Sequence, residues 1–331
     1  MITNCPESQI LIRRDDKDMT IDSNRARHLW FNGDLIAWED ATVHITALGS
    51  LLNIGTVGEG IRAYWNSDTS RLFVFRLHEH MERFDDSMKL QRMDRPHTPE
   101  QLTQAVVDLL KADGSREDTT ISPRAFFDPF GPQGPFVEDP ASAQVMISAD
   151  HRPSRLPNPE PVHCCVSSWT RQSDNMVPPR IKGLSNYQNN RLAAWEAHLN
   201  GYDDAILLSS AGKVTEAPSA CLFMVRHGVV ITPTVTSGIL ESITRRTFLE
   251  LFRSELGVDA VEREVDRTEL YVADEAFLCG TGAEIKPIAS IDRYSLGTET
   301  PGPLTEAMRR LYYDILMGKN SRYQHWLTQI V

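Results

Sequence analysis

The chain has 331 residues, 41% hydrophobic and 24% charged, which is enough apolar material for two ordinary globular domains. That balance excludes a disordered, collagen-like or disulfide-stapled chain. Lys and Arg number 34 against 45 Asp and Glu, a net charge of -11, so nucleic acid is not an expected partner.

The five cysteines (Cys5, Cys164, Cys165, Cys221 and Cys279) form no Cys-x-x-Cys pair. Cys164 and Cys165 lie in the apolar run VHCCV and read as buried strand thiols, which fits a reduced, cytoplasmic setting. Arg13, Arg14, Asp15 and Asp16 directly follow Ile10-Leu11-Ile12, too soon for a secretory core. No stretch approaches the roughly 18 apolar residues a membrane helix needs, so no membrane partner is expected.

Residues 1–26 are polar and aperiodic and read as an N-terminal extension. In LWFNGDLIAW, Asn32-Gly33 separates two apolar runs and predicts a tight hairpin, because both central residues of a type I′ turn need positive φ. Leu77, Met81, Phe84 and Met88 step by four, three and four, a helical stripe. Thr98, Pro99 and Gln101 supply an N-cap, a first helical residue and a capping-box partner. Strands are predicted at 119–127 and 143–149, closing a small α/β domain over 27–149. The proline-rich stretch 150–161 reads as an interdomain connection.

The larger domain, 162–331, alternates strands and helices. Strands are predicted at 161–168, 204–209, 221–226, 229–232, 260–265, 275–280 and 285–291, and helices at 189–200, 244–256 and 303–317. Gly201 and Gly257 stand where helix C-caps belong. The expected fold class is therefore α/β, an α+β small domain joined to a larger mixed-sheet domain.

Residue patterns taken singly carry little chemistry. His78 and His80 fall within the helical stripe, about 200° apart around the axis, so they cannot share a metal ion, and no metal site is expected. No G-x-S-x-G, P-loop or G-x-G-x-x-G pattern occurs in the required context. SGILESITRR runs into a helix at Ile243-Thr244, where free N–H groups can receive an anion. Gly280-Thr281-Gly282 ends a strand with bare backbone. Both are equally what ordinary caps and turns look like. Lys182 and Glu216, by themselves, read as surface charges.

Together these features resemble the branched-chain-amino-acid aminotransferase group of fold-type IV pyridoxal-phosphate enzymes, the D-amino-acid-aminotransferase-like fold. The resemblance runs from about Trp30 to Trp326. It is carried by FNGDLIAWEDATVHITALG, GEGIRAY, FRLHEHMERFDDSMKL, SSWTR, IKGLSNYQNNRLAAWEAHLNGYDDAILL, GKVTEAPSACLFMV, SGILESITRRTFLEL and LYVADEAFLCGTGAEIKPI.

The resemblance implies a pyridoxal 5'-phosphate-dependent transaminase with Lys182 as the catalytic residue, the lysine of the internal aldimine. Tyr187 would bond the ring's phenolic oxygen, Glu216 would pair with the pyridine nitrogen, and Leu240 would pack on the ring face. Arg83, Ile243, Thr244 and Thr281 would hold the phosphate. The backbone of Thr281-Gly282-Ala283 would meet the substrate carboxylate, with Gly60 and Arg62 lining the substrate side. A homodimer is implied as well. The chemistry is consistent: desolvation and cationic neighbours can lower a lysine pKa, and a protonated ring nitrogen drains charge from a carbanion.

The match has departures. Ile54 stands where the family pattern has a tyrosine and Gly58 where it has a phenylalanine; in the family these aromatics shape the branched-chain pocket, so their loss implies an opened pocket that holds branched-chain donors poorly. The strand motif Tyr-Ile-Arg-Pro reads Thr120-Ile121-Ser122-Pro123, with Arg124 two residues beyond its arginine position. The expectation is therefore a ping-pong transaminase between an L-amino acid and a 2-oxo acid that is not a strict branched-chain enzyme. Arg124 would meet a distal substrate charge. The alternatives are a D-amino-acid or amine transaminase, or an aminodeoxychorismate-lyase-like enzyme. Retention of Lys182, Glu216 and Arg83 together argues against a non-catalytic scaffold.

Overall fold

The computed structural model describes residues 26–42, 55–128 and 140–331. Ile54, the extension up to residue 25 and the proline-rich segment 129–139 lie outside the described residues. Two eight-stranded sheets organise the rest.

The first sheet begins with a hairpin of β1 (His28–Phe31) and β2 (Asp34–Ala37), turned at Asn32 and Gly33 with φ of 46° and 114°, as the Asn-Gly pair predicts. It continues with β3 (Val57–Gly58), β4 (Ile61–Asn66), β5 (Arg71–Phe75), β6 (Thr119–Phe127) and β7 (Ala143–His151). All its pairings are antiparallel. Helices α1 (Leu77–Leu90) and α2 (Pro99–Asp113) are bracketed by its strands in sequence. Leu77, Met81, Phe84 and Met88 are all buried against Ile61, Val74, Ile121 and Val145, because a step of three to four keeps them on one helix face. Thr98 accepts the Gln101 N–H, and the Gln101 side chain accepts the Thr98 N–H in return.

The second sheet holds β8 (Val162–Thr170), β9 (Asp204–Leu208), β10 (Cys221–Arg226), β11 (Val229–Thr232), β12 (Ala260–Glu262), β13 (Glu275–Gly280), β14 (Glu284–Ile291) and β15 (Tyr294–Ser295). It is mixed: β8 runs parallel to β9 and β14, and β11 parallel to β12. Strand β10 shows why these segments read as continuous apolar runs. Cys221, Phe223 and Val225 face one cluster, with Phe248 of α4 (Ile243–Ser254) and Tyr312 of α5 (Pro303–Leu316). Leu222 and Met224 face the opposite one. A sheet covered on both faces needs no polar alternation. Helix α3 (Tyr187–Leu199) lays Ala193 and Ala197 on Cys165, Ala205 and Leu207.

Several pieces differ from the sequence reading. Strand β7 continues to His151, two residues into the expected connection, because every residue from Thr119 to Phe127 finds a partner on it. The β4–β5 hairpin and the C-terminal strand β16 (Leu327–Gln329) were not anticipated. Strand β16 crosses back to the first sheet and pairs with β5.

Trp326 fixes that return. Its carbonyl accepts the Arg76 N–H at 2.7 Å, and the Arg76 guanidinium lies 3.9 Å from its ring centroid. Phe75, Tyr312 and Tyr323 pack around it. Replacing Trp326 with alanine removes a buried ring joining both sheets. The expected cost is about 3–5 kcal/mol of stability, measured by urea unfolding; a loss below about 1 kcal/mol would show that β16 is not a structural tie.

Candidate active site

Lys182 lies in the loop before α3, and its backbone is tied to the first sheet. The Gly58 N–H donates to the Lys182 carbonyl at 3.0 Å, and the Leu184 N–H donates to the Thr56 carbonyl at 2.8 Å. Lys182 donates its own N–H to Ser87 Oγ at 3.2 Å. Its Nζ donates to Tyr187 Oη at 2.8 Å, since the first residue of α3 points back over the loop. Both side chains line a cavity of about 240 Å³ between the two sheets.

Glu216, Leu240 and Arg171 form another wall. Glu216 is buried and accepts Arg171 Nη2 at 2.8 Å. The Leu240 N–H lies 3.4 and 3.3 Å from its two oxygens. Burial raises the Glu216 pKa, and the Arg171 guanidinium is the main opposing influence. Arg171 also donates to the Gly238 carbonyl and to Asn190 Oδ1 of α3. A single guanidinium therefore joins the carboxylate to two neighbouring walls. Its planar fork suits that task better than an ammonium.

Arg83 projects from α1 into the same cavity. Its Nε and Nη2 donate to Glu59 at 2.8 and 2.7 Å, and Nη1 donates to the Glu241 carbonyl at 2.8 Å. Ser242 N-caps α4 by accepting the Arg245 N–H. Ser242 faces the cavity, while Ile243 and Thr244 are buried behind it in the first helical turn. Thr281 and Gly282 of the β13–β14 turn are on the wall, and Ala283 is buried just behind.

The substrate-side residues divide. Gly60 lines the cavity. Arg62, expected beside it, is only 3% exposed and does not line it. It lies 3.4 Å from Thr120 Oγ1 and 3.6 Å from Glu284, because a buried guanidinium needs a carboxylate partner and Glu284 supplies it away from the cavity. Arg124 is not on this wall either. Its Nη1 donates to the Glu59 and Pro123 carbonyls, both at 3.1 Å. It lies across Gly58, its cross-strand partner, where any Cβ would collide with its guanidinium.

Four residues here were missed one by one: Arg171, Asn190, Glu59 and His80. Arg171 closes SSWTR and Glu59 centres GEG, but their partners lie far along the chain. The HEH helix points His78 outward beside Glu82 and His80 inward onto Glu59. Among the described residues no group of three or more His, Cys, Asp and Glu is placed to hold a metal ion.

Residues 56–291 match the amino-transferase class IV family. The chain belongs to that family. The aminotransferase is 35% identical over 302 residues to a probable branched-chain-amino-acid aminotransferase of Aquifex aeolicus, covering 91% of this chain and 96% of that one. Its structure is similar to the branched-chain amino acid aminotransferase of Thermobaculum terrenum in its PLP form, with a TM-score of 0.89 and 45% identity over 93% of this chain and 99% of that one. It is also similar to the branched-chain aminotransferase of Thermoproteus uzoniensis with norvaline. There the TM-score is 0.84 and the identity 40%, over 92% of this chain and 100% of the other. The expected fold-type IV architecture and aminotransferase activity both stand on these matches.

Arg171→Met leaves the buried Glu216 carboxylate without its cation. The variant should lose about 3–5 kcal/mol of stability at pH 8. The loss should shrink as pH falls, because Glu216 then has a folded pKa above its unfolded one. Its penalty is absent below the unfolded pKa and grows as pH rises through the folded pKa. Denaturant unfolding at pH 5.5 and 8 checks this; an equal loss at both would show that the carboxylate charge is not involved.

Proposed function

We propose that this aminotransferase uses pyridoxal 5'-phosphate to exchange an amino group between L-amino acids, branched-chain aliphatic ones included, and 2-oxo acids. The observation that carries the reading is the convergence of Lys182, Tyr187, Glu216 and Arg83 on one cavity. The residues fit the cofactor. Glu216 would offer a buried carboxylate to a protonated ring nitrogen, and Leu240, on the same cavity wall, would pack on the ring. A guanidinium has five N–H donors; Arg83 spends three on protein and keeps two for a phosphate. Ser242, Ile243 and Thr244 add the N-terminus of a 12-residue helix, and Thr281 adds a polar contact.

When bound, the cofactor supplies an electron sink for the charge left on the substrate α-carbon. The chain's own groups do the rest. Lys182 Nζ moves the proton at that carbon as general base and acid, and Tyr187 Oη, 2.8 Å away, orients the amine. The Arg171 contact keeps Glu216 aimed at the cavity. Gly60 and the Thr281-Gly282-Ala283 turn leave backbone space for a carboxylate. One amine serves both half-reactions, so donor and acceptor occupy the cavity in turn.

The expectation that branched-chain donors are disfavoured finds no support. The relatives described above are named branched-chain aminotransferases, which also leaves the D-amino-acid, amine and lyase alternatives unfavoured. Gly58 does not widen the site as the sequence reading assumed, because Arg124 occupies the space of its missing side chain. We further propose a cytoplasmic homodimer. Four buried free thiols suit a reducing compartment, and among the described residues no helix is long and apolar enough to cross a membrane. Exposed Trp169, Trp195 and Leu199 suit a subunit contact.

Lys182→Ala tests the reading. Turnover with leucine, isoleucine or valine and 2-oxoglutarate should be measurable in the native enzyme and fall by several orders of magnitude in the folded variant. Near-normal transamination by the variant would remove Lys182 from its role. A native enzyme inactive with all three donors, yet active with others, would overturn the substrate class alone.

A further inference from the structure

A buried carboxylate beside a phosphate site needs a reason, because it repels the anion the site must hold. Glu59 is that carboxylate. Its side chain is fully buried, and both of its oxygens are used. Oε1 accepts Arg83 Nε at 2.8 Å, while Oε2 accepts Arg83 Nη2 at 2.7 Å. His80 Nδ1 sits 2.8 Å from the same Oε2. With Arg83 alongside, Glu59 is held well below the usual carboxylate range despite its burial, so it is an acceptor only and His80 must be the donor. Burial also lowers the His80 pKa, favouring the neutral ring with its proton on Nδ1.

The carboxylate is itself fixed. Glu59 stands between Gly58 and Gly60, and its N–H donates to the Pro123 carbonyl at 3.0 Å. Gly58 is tied to the Lys182 carbonyl, and Gly60 lines the cavity. Helix α1 carries His80 and Arg83 one turn apart on a single face, and Ser87, a further turn on, accepts the Lys182 N–H. The phosphate arginine and the reactive lysine are thus referred to the same helix and to adjacent residues, Gly58 and Glu59, at the end of β3.

A bidentate fork fixes the plane of a guanidinium as well as its position. With Nε and one side of Nη2 on Glu59, and one side of Nη1 on Glu241, the two remaining N–H groups have no rotational choice. We propose that Glu59, backed by His80, is a positioning residue that locks the Arg83 guanidinium so that its two free N–H groups meet the cofactor phosphate. The role rests on the pyridoxal-phosphate reading above. Its repulsion toward phosphate is the cost, offset by preorganisation.

Cofactor-free protein titrated with pyridoxal 5'-phosphate and, separately, with pyridoxal isolates the phosphate contribution as a ratio of dissociation constants. In Glu59→Gln this ratio should fall at least about tenfold, with pyridoxal affinity held within about twofold. His80→Asn should lower it less. In an Arg83→Lys background, Glu59→Gln should change it no further, because the effect passes through the fork. Glu59→Asp, which keeps the charge but withdraws the fork, should show a smaller loss of the same kind and carries the test if Glu59→Gln does not fold. An unchanged or increased ratio, or equal weakening of both ligands, would overturn the proposal. Failure of the native protein to bind pyridoxal 5'-phosphate would instead overturn the functional reading.

Discussion

The structure depends on how the Lys182 backbone is held. Three hydrogen bonds, from Gly58 to Lys182, from Leu184 to Thr56 and from Lys182 to Ser87, place a loop of the second half of the chain on the edge of the first sheet and on helix α1. Without them the amine would sit on a mobile connector. With them, it stands between two cores that are each packed by their own aromatic and aliphatic clusters. The remaining cavity groups then arrive from rigid elements: Arg83 from a 14-residue helix, Tyr187 from the first turn of α3, and Thr281 from a strand hairpin.

Charge inside this cavity is arranged in pairs, as burial requires. Glu59 and Glu216 make an instructive contrast. Glu59 meets a guanidinium fork and an imidazole N–H, and these overcome burial, so its pKa is driven down. Glu216 has one short contact to Arg171 and two long ones to Leu240, so burial prevails and its pKa is raised. The first carboxylate is spent on protein, whereas the second keeps acceptor capacity toward the cavity. Two similar residues therefore take different roles through the number of donors each receives. Cys221 lies between Glu216 and the Leu240 carbonyl; burial, with the Glu216 charge beside it, pushes its thiol up to about 12, so it remains neutral.

Local features were the legible part of the fold. Asn32-Gly33, the Thr98 capping box and the Leu77–Met88 stripe each act within a few residues, so sequence alone places them. Strand β16 was illegible because its partner β5 lies at the opposite end of the chain, and nothing in Leu327–Gln329 names that partner. The site shows the same division. Lys182 and Glu216 read singly as surface charges, and only the ordered family segments joined them to Arg83. Arg171 and Glu59 stayed hidden because their roles lie in the partners that the fold brings to them. Gly58 misled for a related reason: a missing side chain suggests empty space until Arg124 is seen lying across it.

We propose that the Lys182 amine is the point of covalent contact between this chain and pyridoxal 5'-phosphate. Borohydride reduction of the purified enzyme loaded with pyridoxal 5'-phosphate, followed by peptide mapping by mass spectrometry, tests it directly. The expected result is loss of the visible absorbance band and one stoichiometric phosphopyridoxyl adduct, on the peptide carrying Lys182. An adduct on another lysine, or a fully loaded enzyme that yields no adduct, would contradict it.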